Sequence, residues 1–485
     1  MTPRTSLALL PLLTASLGCG TPKHTKVADH LGNSASPLVV VAPAVDPKLV
    51  DMTAEATMSL LAANAVTELG VRVLVTARDL PDAQRPPLNL GLVLDTSGSM
   101  DGDAIGSMKS SAKALVDRLR VGDRISIVTF HSHADLLVPS TVIDSTNRAA
   151  MDHAIDGIVA SGTTDLQGGL TAGLAQVTQH QLPLGINRIV LLSDGVPNAS
   201  NQLPATIASI HQYGISVTSL GFGIDYDTSL MTQIARDTGG TFHYLDKPEE
   251  VAAVFDDELT KMSTVVGRGL QLVLEPGPGV TILPMPGIQQ SSNGTWYTTV
   301  GDLAAGETRD LMIPIKVATR AAGSTAELVQ ATLTFDDVIG KSGSRQRGAF
   351  VGVKTSTDAS AIKAGIKVGL EVARIRASAA AAILTSMQLA REGQVAPARQ
   401  QLALAMAAVR VAATKYRDAG LDVLLKQLDE VAKQLAQIAP PPELVDRAKR
   451  SSINDRPTPA TAPASVERGM RRTEEKAAAT LQGRD

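Results

Sequence analysis

Aromatic residues are nearly missing from this 485-residue chain, which has one Trp, five Tyr and six Phe. That scarcity excludes the stacked aromatic platforms on which single-stranded nucleic acid is bound. A charge excess is missing too. With 45 Lys+Arg against 48 Asp+Glu the formal net charge is -3, so no basic field exists to hold a phosphate backbone. Nucleic acid is therefore not an expected partner. Cysteine occurs once, which excludes an intramolecular disulfide and any Cys-rich zinc or iron–sulfur centre. Beyond residue 20 no segment reaches the run of about 18 apolar residues that marks a membrane-spanning helix. What is present is a chain with 44% hydrophobic residues, mainly Ala, Val, Leu and Ile. It is long enough for two to four domains at about 100–200 residues each.

Enzyme signatures are also missing. The sequence contains no G-x-x-x-x-G-K-[ST] phosphate loop, no H-E-x-x-H and no G-x-S-x-G nucleophile elbow. The expectation is a non-enzymatic protein.

The N-terminus carries Arg4 and then a mostly apolar run from Leu7 to Leu17, too short to span a bilayer and of the form of a secretory signal. The single cysteine, Cys19, follows directly. This arrangement resembles a bacterial lipoprotein signal, with Ser16 where that pattern usually has Leu. The resemblance implies removal of residues 1–18 and lipidation of Cys19. Gly20, in place of Asp, implies sorting to the outer membrane of a Gram-negative envelope, facing the periplasm or the surface. A plain secretory signal would instead give a secreted protein. Residues 19–50 read as a flexible tether.

Three structural regions and a tail follow. Residues 88–266 alternate strand and helix, beginning with a continuous apolar run at 88–94 that suits a strand buried on both faces. The expected fold class there is α/β, a doubly wound and mostly parallel sheet, with a last helix at 249–266. Residues 267–355 show short strands at the spacing of a β-sandwich. Residues 51–87, with Leu69, Val71, Val73 and Val75 alternating, are expected to join that sandwich, so that the α/β domain interrupts it. Residues 356–440 are Ala/Leu-rich with helical periodicity and read as a bundle, Gly420 separating its third helix. The Pro-, Ala-, Arg- and Glu-containing tail, 441–485, is expected to be disordered.

The first buried strand ends in Asp95-Thr96-Ser97-Gly98-Ser99, a D-x-S-x-S pattern at the carboxyl end, where open α/β sheets place their ligands. Gly162-Thr163-Thr164-Asp165 precedes a helix, and Ser193-Asp194-Gly195 ends another buried strand. A doubly wound sheet can bring these three loops to one point of its rim. Together they resemble the von Willebrand factor A domain family and its metal-ion-dependent adhesion site, over residues 88–262. By that resemblance Asp95, Ser97, Ser99, Thr164 and Asp194 form the metal site, with Asp165 as an orienting neighbour or, equally, the N-cap of the following helix.

The chemistry of the residue types agrees. Mg²⁺, Mn²⁺ or Ca²⁺ takes oxygen ligands. Three hydroxyls add no charge, so two carboxylates leave the ion electrophilic enough to accept an acidic side chain from a protein ligand. The function so implied is an envelope protein, held to the membrane by its lipid anchor, that binds a protein partner through a divalent cation. The alternative is an accessory or scaffold subunit of an enzyme or transport complex. One further group stands out: His131, His133 and Asp135 lie two apart after the second strand and could face one way as metal ligands, though such residues are more ordinarily an exposed strand edge.

Overall fold

The structure, a computed structural model, describes residues 48–80, 86–183, 185–197, 202–223, 226–247, 250–340, 343–437 and 464–484. The expected signal, Cys19 and nearly all of the tether lie outside the described residues. The described chain opens with β1 (Val50–Ala56), β2 (Leu60–Ala62) and β3 (Thr67–Ala77). In β3 the alternation turns Leu69, Val71, Val73 and Val75 inward, as a strand with one buried face requires.

The chain then enters the α/β region. Its elements are β4 (Leu88–Asp95), α1 (Asp103–Arg118), β5 (Arg124–Phe130), β6 (Ala134–Val142), α2 (Arg148–Asp156), α3 (Leu166–Gln179) and β7 (Ile186–Ser193). They continue with α4 (Leu203–Gln212), β8 (Ser216–Phe222), α5 (Thr228–Thr238), β9 (Phe242–Leu245) and α6 (Glu250–Ser263). The sheet order is β6-β5-β4-β7-β8-β9, parallel except for the edge strand β6. Every residue of β4 and β7 is buried, because α1, α2 and α6 cover one face and α3, α4 and α5 the other. The fold is thus the doubly wound α/β class the sequence pattern predicts.

The last helix ends earlier than expected. Val265 and Val266 belong to a strand, because Val266 is needed in the sandwich core and the pair is β-branched. That strand, β10 (Val265–Pro276), leads into β11 (Val280–Ile282), β12 (Gln289–Gln290), β13 (Trp296–Ala304), β14 (Thr308–Val317), β15 (Thr325–Asp337) and β16 (Gly343–Ser356). One sheet runs β1-β3-β14-β11 and the other β12-β13-β10-β15-β16-β2, closed on a shared apolar core. In the first sheet β3 pairs antiparallel with β14 along its length, Val73 opposite Leu311, so the α/β region is inserted into a sandwich built from both sides of it.

A helical layer completes the chain: α7 (Ala359–Ala364), α8 (Val368–Arg391), α9 (Val395–Tyr416), α10 (Ala419–Gln437) and α11 (Ala464–Leu481). Two expectations are corrected here. Gly420 does not separate helices; it lies inside α10, and the break is made by Arg417 in the left-handed region at φ 53°. Nor is the tail wholly disordered. Val466, Met470 and Ala477 of α11 join the bundle core, and the buried Glu474 accepts a forked pair of bonds from Arg391 at 2.5 and 2.6 Å. The apolar stripe of α11 is narrow and its composition polar, which is why it reads as a solvated tail until α8 and α10 supply the surface it packs on. Among the described residues no helix is long and apolar enough to cross a membrane.

A buried ionic knot seats the α/β sheet on the sandwich. Arg188 of β7 pairs with Asp302 of β13 at 2.7 Å and with Glu258 of α6 at 3.4 Å. Thr218 and His243 close on the same Glu258 at 2.7 and 3.2 Å. Burial alone would raise the Glu258 carboxyl, but the hydrogen bond and charge of His243, the charge of Arg188 and the Thr218 bond together hold it well below the usual range.

Candidate metal centre

β4 delivers Asp95 to the carboxyl edge of the sheet, and the chain turns at once into a single 3-10 turn, Gly98–Met100. Asp95 is fully buried and Ser97 nearly so, whereas Ser99 is exposed. The Asp95 carboxylate accepts the Ser97 amide at 2.9 Å and the Ser193 hydroxyl at 2.5 Å. From Ser97 Oγ a contact of 3.1 Å leads to Ser99 Oγ, which donates to Asp194 Oδ1 at 2.8 Å. Four of the predicted ligands are therefore one connected oxygen cluster, contributed by the ends of two adjacent parallel strands, β4 and β7.

Thr164 arrives from the loop before α3. The loop is docked by backbone bonds: Gly98 donates to Gly162 O at 3.1 Å, Ser161 to Thr96 O at 2.8 Å and Asp165 to His131 O at 2.6 Å. Thr164 is buried against Gly195, so closely that a Cβ on Gly195 would lie 2.6 Å from Thr164 Oγ1. This close approach, not the backbone angles, is what requires glycine there. The neighbouring Thr163 turns away and bonds Ser132 Oγ instead. All five residues that the resemblance nominated are thus at one rim.

Asp165 has a different occupation. Its side chain accepts the Gly168 amide at 2.9 Å as the N-cap of α3, and its main-chain N–H ties the loop to the β5–β6 turn. Ser193 and Gly195 are the residues that sequence reasoning left without a role. The signal was present, since both flank Asp194 in the strand-ending motif, but only the pairing of β4 with β7 shows Ser193 beside Asp95.

The donor set fits a hard divalent cation: carboxylate and hydroxyl oxygens, with no nitrogen or sulfur donor among the five. Burial raises the Asp95 carboxyl above its ordinary range, opposed by the hydrogen bonds from Ser193, Ser97 and the Asp194 amide. A cation at this rim would supply the positive charge that such a desolvated carboxylate calls for.

Comparison with known proteins identifies the domain that carries these loops. Residues 89–257 match the model of the von Willebrand factor type A domain, and the chain carries such a domain. It is 31% identical over 239 residues to the uncharacterized protein sll0103 of Synechocystis sp., covering 48% of this chain and 56% of that one. It is 32% identical over 214 residues to the uncharacterized protein YfbK of Escherichia coli, covering 43% and 37%. Human inter-alpha-trypsin inhibitor heavy chain H4 is 27% identical over 183 residues, covering 35% of this chain and 20% of that protein. The chain therefore spans about half or less of the curated relatives it matches. In fold it resembles a von Willebrand factor type A structure from Catenulispora acidiphila, with TM-score 0.64, 19% identity and coverage of 90% of this chain and 96% of that one. The ArnB paralog VWA2 from Sulfolobus acidocaldarius gives TM-score 0.54 and 15% identity over 89% and 99% of the two chains.

Proposed function

We propose that this chain is a non-enzymatic, cell-envelope protein whose A domain holds a divalent cation, Mg²⁺ in the first instance, and uses it to bind an acidic side chain of a protein partner. The observation that carries this reading is the connected cluster of Asp95, Ser97, Ser99 and Asp194 at the ends of β4 and β7, with Thr164 held beside it over Gly195 and Ser99 open to solvent. When bound, the ion supplies an electrophilic point at which a partner carboxylate completes the coordination. The chain's own contribution is positional. Ser193 and the Ser97 amide orient Asp95, Ser99 orients Asp194, and the docked loop holds Thr164 over Gly195.

Partner binding then depends on both ion and cluster. Proteins captured on the full chain in Mg²⁺ should be released by chelator and should not be captured by Asp95→Ala; saturable Mg²⁺ or Mn²⁺ binding measured by calorimetry should vanish in the same variant. An Asp95→Ala chain that still binds ion and partner would overturn the reading. Envelope anchoring through Cys19 belongs to the same proposal and is tested by the mass of the processed N-terminal peptide: an unprocessed, unlipidated chain contradicts it.

A further inference from the structure

The β5–β6 hairpin carries a second cluster of ligand-type side chains. Phe130 pairs with Ala134, so residues 131–133 form a three-residue turn, closed by the His131 amide on His133 O at 2.9 Å. That turn puts His131 and His133 edge to face, ring centroids 4.3 Å apart, with Asp135 next along β6 facing both. Asp135 Oδ2 lies 3.5 Å from His131 Nε2 and 3.2 Å from His133 Nε2. One ligand atom from each of the three lies within 4.8 Å of the others.

We propose that His131, His133 and Asp135 form a zinc-type site, separate from the oxygen cluster at the rim. Two imidazoles and one carboxylate are the donor set of a late first-row divalent cation and a poor one for Mg²⁺. The spacing agrees: metal–ligand bonds of about 2.0–2.1 Å place tetrahedral donors about 3.3 Å apart, close to both His–Asp separations. Three protein ligands leave the fourth position to water or to a group from outside. His133 and Asp135 have more than half of their side-chain surface exposed, so a cation can reach the site without opening the fold. His131 Nδ1 accepts the Ser132 amide at 2.6 Å, which leaves the ring proton on Nε2. A cation on Nε2 displaces that proton to Nδ1 and releases the Ser132 amide. The turn also supports the rim loop, through His131 O and Ser132 Oγ, which accept the Asp165 and Thr163 amides. The two sites are therefore neighbours in the structure but use different donors.

The test is Zn²⁺ titration by calorimetry on the full chain without a polyhistidine tag, in excess Mg²⁺, with Co²⁺ absorption as an independent reading of nitrogen and oxygen ligation. One Zn²⁺ per chain is expected, insensitive to Mg²⁺ and retained in Asp95→Ala. His133→Ala and Asp135→Asn, both at exposed positions, should each weaken it at least about tenfold, as losing one of three ligands implies, with unchanged thermal unfolding. Three results would overturn the proposal: no Zn²⁺ binding to the wild type, binding that survives both hairpin substitutions, or binding lost in Asp95→Ala alone, which would put the zinc at the rim.

Discussion

Strand β7 has charge at both ends, and the two ends are built on opposite principles. Near its start Arg188 is buried between Glu258 and Asp302, each carboxylate matched by a guanidinium nitrogen of the same protein. Just past its other end Asp194 joins Asp95 in a cluster whose connecting groups are hydroxyls and amides. Buried carboxylates matched by an internal cation hold the domains together. The buried Asp95, among neutral donors, is instead raised by burial, the condition of a group that an external cation would satisfy. A carboxylate's surroundings, rather than its burial, thus distinguish the two clusters.

The largest effect should come from the first cluster. Arg188→Ala leaves the buried Asp302 without its cation and Glu258 with only His243 and Lys261 beside it, and should cost roughly 3–5 kcal/mol, read as a shift in the denaturant midpoint. The same cluster has an acid signature. Because the folded Glu258 pKa is depressed, its contribution is fully present above the ordinary glutamate range and is lost as pH falls from there toward the folded value. Stability measured from pH 7 downward should therefore drop below about pH 4.5 in the wild type, and by less in Glu258→Gln. An equal acid loss in the variant would remove Glu258 from the account.

The rim should behave in the opposite way. In chelator, Asp95→Asn removes a desolvated charge while keeping the shape, so stability should change by no more than about 1 kcal/mol, in either direction, although ion binding is lost. A loss as large as that of Arg188→Ala would make Asp95 structural and abolish the contrast. Gly195→Ala pushes a methyl onto Thr164 Oγ1 and should lower ion affinity about tenfold, as displacement of a supporting group does at metal sites, with little change in the unfolding midpoint. The smallest effect is that of Asp165→Ala. As an N-cap it should cost about 1 kcal/mol of stability and leave ion affinity nearly unchanged. A tenfold or larger loss of ion affinity would make it an orienter of the site instead.

Most of the α/β region was legible from the order of residues. The buried run of β4 and the alternation of strands with helices after it follow from hydrophobic period, which acts over one or two turns of chain. The five rim oxygens were legible through their three motifs and the resemblance those motifs carry. What failed was wherever two distant segments decided the outcome. The periodicity that extends the last helix through Val265 and Val266 gives way to a strand there, because the core that claims Val266 is built by strands on both sides of the insertion. Likewise α11 was read as disorder because its partners, Arg391 and the bundle core, lie far upstream.

By itself, then, the sequence determined the kinds and order of the elements up to the helical bundle, the oxygen-bearing motifs and the absence of a basic or Cys-rich chemistry, since each of these is set by neighbours in the chain. The end of α6 and the helix α11 were not so determined. Only the tertiary structure decided that Ser193 serves Asp95, that Asp165 caps a helix, that Arg188 neutralises carboxylates from two other elements, and that a three-residue turn aims two histidines at one aspartate. Those facts depend on strand pairing and burial, which set the distance between charges and the water around them, and neither is a property of any single stretch of chain.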